Sequence, residues 1–269
     1  MVIFMADSIF VCPVCSEALI KTPKEYYCRN SHHFDRAKEG YVNLLLGQSG
    51  GVHGDDKIMV ASRKRFLDLG HYSPLREGII SEIGRVGAQV VLDAGCGEGY
   101  YTSGIAGRTD ASVFGVDMSK EALKCCSKRN ADIDLAVASV YHLPVKDESA
   151  DALLSVFSPF ARDEFLRVLR RGGRLIMAIP AARHLFSLKA LLYDTPYENE
   201  VAPFELDGFE LEAHTPLRYS FTLTSREEIL DLFSMTPYRY RTKGALDRIS
   251  RVEKLDIEAE FELLTYIKK

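Results

Sequence analysis

The sequence predicts an α/β fold, a doubly wound and mostly parallel sheet, with a small metal-binding module ahead of it. Three observations carry this. Short apolar runs alternate with helical segments through the middle of the chain. The first of these runs breaks into three closely spaced glycines, Gly95, Gly97 and Gly99. Three of the six cysteines fall within the first thirty residues. The size and composition agree: 269 residues allow one or two domains with a sizeable core, and 46% hydrophobic with 27% charged residues is ordinary for a globular chain. No stretch approaches the roughly 18 apolar residues of a membrane span. The formal net charge of −4 argues against a whole-surface affinity for polyanions and leaves local basic patches open. The opening MVIFMADSIF lacks a basic leading region and a small-residue cleavage site, so no signal peptide is read and the cytoplasm is the expected compartment. In a reducing compartment, clustered cysteines suggest a metal before disulfides.

In chain order, residues 1–37 form a cysteine-rich head with little apolar periodicity. Cys12 and Cys15 make a C-x2-C pair, twelve residues follow, and Cys28 with His32 makes a C-x3-H, a donor set for one closed tetrahedral structural zinc. His33 is an alternative fourth ligand. So short a segment cannot build a core alone, and the metal would supply much of its folding free energy. Residues 38–60 read as a flexible connector, with four glycines between Gly47 and Gly54. The body spans 61–269. It opens on two helices, ASRKRFLDLG and SPLREGIISEIGRV, the second with Ser73 as a cap before Pro74. Strands are expected at VVLDAG, VFGVD (113–117), IDLAVA (133–138), ALLSVF (152–157) and RLIMAI (174–179), with helices over 119–129 and 161–171 between them. Residues 224–235 read as a helix opened by a Thr224/Glu227 capping box, and EFELLTYI reads as a closing strand.

The stretch VVLDAGCGEGYYT carries the chemistry. Glycines let a ligand approach the backbone where a side chain would block it. A dinucleotide fingerprint would be spaced G-x-G-x-x-G, and here the last glycine arrives one residue early. Asp117, at the end of VFGVD, stands where an acid accepts hydrogen bonds from two ribose hydroxyls. The competing reading of Asp117 is a cap for the helix that follows it. Cys96 lies inside the loop with no His–Cys pairing evident, and is read as a small residue in a tight turn.

Asp93-x-Gly95-x-Gly97-x-Gly99 resembles the D-x-G-x-G-x-G motif of class I S-adenosylmethionine-dependent methyltransferases, and the resemblance extends over ASVYHLPVKDESAD and FLRVLRRGGRLIMAIP, roughly residues 88–180. It implies a Rossmann-like body in which Asp93 orients the loop or meets the amino group of the cofactor. The run CRNSHHFDRAKEGYVNLL narrows it further. Together with FLDLGHYSPLR (66–76), RHLFSLK (183–189) and MTP (235–237), it resembles the bacterial large-subunit (23S) ribosomal RNA guanine-N1-methyltransferases over nearly the whole chain. In that register His32 is the ligating histidine and His33 takes the variable position. Tyr72 and His184 match residues lining the cofactor pocket, Tyr101 and Thr102 follow the glycine loop, and Asp117 matches the ribose acid. The resemblance implies S-adenosylmethionine and one structural Zn2+ as cofactors, a hairpin loop of 23S rRNA as partner, no membrane, and a homodimer as a reasonable assembly.

The cofactor brings its own electrophile, so the protein has mainly to hold a nucleophilic nitrogen in line with the methyl group. No proton acceptor for guanine N1 is singled out. The base must leave its stack, which favours an aromatic platform, with Phe157, Phe160 and Tyr193 as candidates that fit a core role equally well. Candidate RNA-binding cations are Arg63-Lys64-Arg65, Arg170-Arg171, the stretch Tyr238 to Lys243, and Lys21, Lys24, Arg29, Arg36 and Lys38 of the head, which is expected to recognise RNA. Each run fits a solvated face as well. The rival readings are a small-molecule methyltransferase of the same fold and a zinc-bearing RNA-binding protein without activity. The second would need a damaged cofactor motif, and Asp93, the three glycines and Asp117 are intact.

Overall fold

The computed structural model describes residues 8–47, 54–242 and 244–269. The head is a three-stranded antiparallel sheet of β1 (Ile20–Lys21), β2 (Glu25–Tyr27) and β3 (His33–Asp35). The next strand, β4 (Val42–Asn43), already belongs to the body, where it runs parallel to β7 (Asp134–Val137) at the sheet edge. The span expected as a connector therefore supplies a strand, and it also holds the start of α1 (Lys57–Asp68), which Asp56 caps through Met59 N–H. The rest of the expected connector, 48–53, lies outside the described residues.

After α1 come α2 (Ser73–Val86), β5 (Val90–Ala94), α3 (Tyr100–Ala106), β6 (Ser112–Asp117) and α4 (Lys120–Arg129). Ser73 is not the cap of α2: Tyr72 holds that position without a side-chain bond, and Ser73 and Pro74 form the first turn. Beyond β7 follow β8 (Ala150–Val156), α5 (Arg162–Val168), β9 (Leu169–Pro180) and α6 (Phe186–Leu192). The helix expected over 161–171 stops at Val168 because Leu169 already pairs with Ala150 in the sheet. The chain closes with β10 (Phe209–Leu223), α7 (Arg226–Ser234), α8 (Tyr238–Arg241), α9 (Ala245–Ile249) and β11 (Leu255–Lys268). The capping box of α7 sits one residue later than its sequence suggests. Ser225 is the extended residue whose hydroxyl accepts Glu228 N–H, and the Glu228 carboxylate accepts Thr224 N–H in return.

The large sheet has the order β10-β11-β9-β8-β5-β6-β7-β4. Strands β4 to β9 run parallel, and the long β10–β11 hairpin adds two antiparallel strands beside β9. Successive residues alternate between the two faces. Val91, Val113, Leu135, Leu154 and Ile176 meet a core shared with α2, α4, α6 and α7. Leu92, Phe114, Ala136, Leu153 and Leu175 meet α5 and, beyond it, Phe10, Leu19 and Tyr26 of the head. The crossover from β7 to β8 contains no helix among residues 138–149. The head fills that layer instead. Val11 N–H donates to Pro144 O (2.9 Å), Lys146 N–H donates to Ile9 O (2.9 Å), and the fully buried Phe10 ring stands edge-on to Phe114 at 5.6 Å.

The strand order reverses between β5 and β8. From β5 the chain winds outward through β6 and β7, and from β8 it winds the other way through β9. In an open α/β sheet that reversal leaves a crevice beyond the carboxyl ends of the two strands, which is where ligands bind. Here those ends are the glycine loop after β5 and the Phe157-Ser158 turn after β8.

Candidate cofactor pocket and metal centre

All three loop glycines have positive φ, +95° at Gly95, +55° at Gly97 and +85° at Gly99, conformations that L side chains avoid. Space restricts two of them as well. A Cβ on Gly95 would stand 2.4 Å from Ser158 Oγ, and one on Gly99 would stand 2.4 Å from Cys126 Sγ. At Gly97 a Cβ would meet Arg63 Nη1 at 3.7 Å, an ordinary contact, so there the positive φ is the restriction.

Asp117 ends β6 directly beneath the loop. Its Oδ2 accepts Gly97 N–H (3.0 Å) and its Oδ1 accepts Ser119 N–H (2.7 Å), while the cap of α4 is the Ser119 hydroxyl, which accepts Ala122 N–H. Burial raises the Asp117 pKa, against the pull of those two N–H groups. Asp93, near the end of β5, is buried and accepts Thr102 Oγ1–H at 2.6 Å, which ties the strand to α3 across the loop. Burial pushes its carboxyl up to about 7. Tyr101 and Tyr100, at the start of α3, have buried hydroxyls without a partner among the described residues. The start of α3 therefore keeps two unspent hydroxyls beside the glycine loop, which fits a polar ligand seated there.

Tyr72 and His184, 112 positions apart, are brought together: Tyr72 OH lies 3.4 Å from His184 Nε2, and both residues are buried. His184 Nδ1 accepts Glu260 N–H (3.3 Å), so the ring proton sits on Nε2 and points at the Tyr72 oxygen. Burial lowers the His184 pKa to about 3, so the ring is neutral. Phe261 of β11 packs against both rings, with centroids 4.9 Å from Tyr72 and 4.6 Å from His184. Sequence reading misses Phe261, Ser158 and the Arg63–Asp55 ion pair, in which Asp55 O also accepts Ser119 Oγ–H. No linear pattern marks them, because each acts through a neighbour far away in the chain.

In the head, Cys12, Cys15, Cys28 and His32 hold their ligand atoms within 4.8 Å of one another. His32 Nδ1 lies 3.4 Å from each of the three sulfurs, and Cys15 Sγ lies 3.7 Å from Cys28 Sγ. A tetrahedron with Zn–S of about 2.3 Å and Zn–N of about 2.0 Å has edges of about 3.5–3.8 Å, so the donors stand at zinc-ligand spacing. Backbone N–H of Glu17 draws the Cys15 thiol down to about 6. His33 is turned away: it stacks on Tyr27 and bonds Glu25 at 2.9 Å. His32 is the fourth donor.

Several cations expected for RNA are spent within the fold. Arg63 pairs with Asp55, Lys64 with Asp68, Arg65 with Asp231, Arg170 with Asp151, Arg239 with Asp56 and Lys21 with Asp134. Arg36 donates to the carbonyls of Thr22, Pro23 and Gly40. Lys24, Arg29 and Lys38 of the head, with Arg171 and Arg241 of the body, form no ion pair among the described residues; Lys243 lies outside them.

A glycine loop at the reversal point of a parallel sheet, an acid at the end of the next strand and a Cys3His cluster define a zinc-bearing, S-adenosylmethionine-dependent methyltransferase. Residues 91–175 match a family described as methyltransferase domain, and residues 10–49 match one described as RlmA, N-terminal, a zinc ribbon. The chain is 33% identical over 260 residues to the "Putative 23S rRNA (guanine-N(1)-)-methyltransferase" of Micromonospora griseorubida, covering 87% of this chain and 88% of that one. It is 30% identical to the protein of the same description in Bacillus subtilis (strain 168), covering 97% and 98%. It is 36% identical to the 23S rRNA (guanine(748)-N(1))-methyltransferase of Streptomyces fradiae, covering 66% and 65%. The chain belongs to the 23S rRNA guanine-N1-methyltransferase family. Among the described residues no helix is long and apolar enough to cross a membrane.

Proposed function

We propose that this protein methylates N1 of a guanine in a hairpin loop of 23S ribosomal RNA, acting in the cytoplasm as a homodimer. The observation that carries the reading is the docking of the zinc module onto the same sheet whose far end forms the glycine loop and Asp117. S-adenosylmethionine, when bound, would supply an electrophilic methyl group, and the proton of guanine N1 would pass to solvent. The chain's part is to bind and orient. Asp117 accepts the ribose hydroxyls, Gly95, Gly97 and Gly99 let the loop backbone approach, and Asp93 holds the loop through Thr102. Tyr72 and His184 form the pocket wall, and Tyr101 offers its unspent hydroxyl. His184 does not take the guanine proton, because its only lone pair is used on Glu260 N–H. Residues 1–37 act as the RNA-recognition module, 38–60 join it to the methyltransferase domain of 61–269, and Lys24, Arg29 and Lys38 contact RNA phosphates.

The test is incubation with methyl-labelled S-adenosylmethionine and large-subunit ribosomal RNA from a strain lacking the gene, followed by nuclease digestion and nucleoside analysis. Label is expected as 1-methylguanosine from one hairpin. Absence of label in RNA, with cofactor binding intact and zinc present, would overturn the reading and favour a small-molecule acceptor.

A further inference from the structure

Among the described residues, non-glycine residues with positive φ are few, and the two bulky apolar ones flank one place. Phe157 (φ +54°) follows β8, and Leu185 (φ +59°) follows His184 and opens α6. For a side chain of that size the left-handed region is strained, and such strain collects where function requires a set orientation. Phe157 is held there on both sides. Its N–H donates to Ala178 O at 3.1 Å, and the next residue, Ser158, is the one against Gly95. Phe157 is 45% exposed, its plane lies 17° from that of His184 with ring centroids 6.4 Å apart, and its centroid is 5.7 Å from that of Phe261. The result is a row of rings, Tyr72, His184 and Phe157, whose outermost member is open to solvent at the reversal point of the sheet, beside the cofactor loop. The other two candidate platforms are spent. Phe160 packs into the core on Phe165 and Phe209, and Tyr193 packs between Tyr197 and Tyr238 with its hydroxyl bonded by Thr242.

We propose that Phe157 is the platform on which the acceptor base stacks, its exposed ring held by a fixed backbone beside the glycine loop. This rests on the nucleic-acid reading above. An unstacked purine is flat, apolar on its faces and polar on its edge, and a fixed aromatic face holds it while leaving the N1 edge free to turn toward the methyl group.

The chain contains no tryptophan, so Phe157→Trp places a single indole at the site. The variants Phe157→Ala, Phe157→Tyr and Phe157→Trp are to be compared with the wild type for methylation of the same ribosomal RNA, for S-adenosylmethionine affinity by calorimetry, and for indole emission as RNA is added. Base–aromatic stacking is worth enough that Phe157→Ala should lose about tenfold to a hundredfold in kcat/KM. Cofactor affinity should stay within about twofold, Phe157→Tyr should restore most of the activity, and the indole emission of the Phe157→Trp variant should be quenched by RNA. Wild-type activity on RNA with Phe157→Ala within twofold of it, an unquenched indole, or a loss confined to cofactor affinity would each overturn the platform and leave the proposed function standing. A wild type inactive on ribosomal RNA would remove the proposed function, and the platform with it.

Discussion

Asp93 and His184 are both buried titratable groups beside the pocket, and burial acts on them in opposite directions. The Asp93 carboxyl is raised from 3.8 to about 7, so between those values the folded chain holds a proton that the unfolded chain has released. Its contribution to stability is complete below about 4 and is lost as the pH rises through 7. The His184 imidazole is lowered from 6.5 to about 3, so below 6.5 the unfolded chain takes up a proton that the folded chain refuses. Its contribution is complete above 6.5 and is lost as the pH falls toward 3. Each shift corresponds to a few kcal/mol, roughly 4 for Asp93 and roughly 5 for His184 as upper figures. Between about 4 and 6.5 the two dependences have opposite signs and nearly offset each other, so in the wild type these two groups should leave the melting temperature almost level over that range. Asp93→Asn should uncover the His184 dependence, a melting temperature that rises with pH up to about 6.5, and His184→Phe should uncover the Asp93 dependence, one that falls as the pH rises to about 7. Two variants with unaltered slopes would show that these groups do not carry the dependence.

Among the elements, the zinc module is the one expected to depend on a bound ion for its folding. Its three strands are two or three residues each, and its buried apolar side chains belong to a cluster shared with the body. A structural zinc contributes on the order of 10 kcal/mol in comparable peptides. Chelation, or Cys28→Ser, should unfold the head, releasing Phe10, Leu19 and Tyr26 from the second face of the sheet. The expected readout is a melting temperature lower by several degrees, with titrated cofactor affinity kept because the glycine loop lies at the far end of β5. An unchanged melting temperature after complete zinc removal, confirmed by metal analysis, would contradict this. The elements are legible in the sequence to different degrees. Strands β5 to β8 follow from apolar runs that are buried on both faces, and α4 from its periodicity and Ser119. The hairpin β10–β11 is only half legible, because β10 lies at the sheet edge with polar and exposed residues such as Glu210, Glu212 and Arg218, and its pairing with β11 leaves no periodic apolar signal.

At the scale of the molecule, head and body share one packed layer in which Phe10 is fully buried. Truncating a fully buried phenylalanine costs about 3–5 kcal/mol, and here the loss falls on the contact between the two parts. Phe10→Ala should lower the melting temperature. It should also reduce the further drop caused by zinc chelation, since the body no longer senses the state of the head. Calorimetry with and without chelator on wild type and variant measures that coupling directly, and equal chelator effects in the two would refute it. The same contact explains why the expected flexible connector does not act as one over its first part: Val42 and Asn43 are held in the sheet beside β7, and the head is fixed where a crossover helix would otherwise lie.

The sequence by itself determined the parallel sheet, the glycine loop with Asp93 and Asp117 beside it, and the grouping of Cys12, Cys15, Cys28 and His32. These are features whose chemistry depends on residue type at short spacing: glycines where φ is positive, acids at strand ends, thiols and an imidazole in a knuckle. The tertiary structure alone decided which of the aromatic and cationic candidates remain free. Phe160 and Phe157 are three positions apart and read alike in the chain. One fills the core against Phe165 and Phe209, and the other is turned outward at the point where the strand order reverses. Arg63 and Arg65 read as a basic patch until Asp55 and Asp231 are seen to neutralise them. Burial and pairing are set by contacts between residues distant in sequence, and a residue's own type and near neighbours do not encode them.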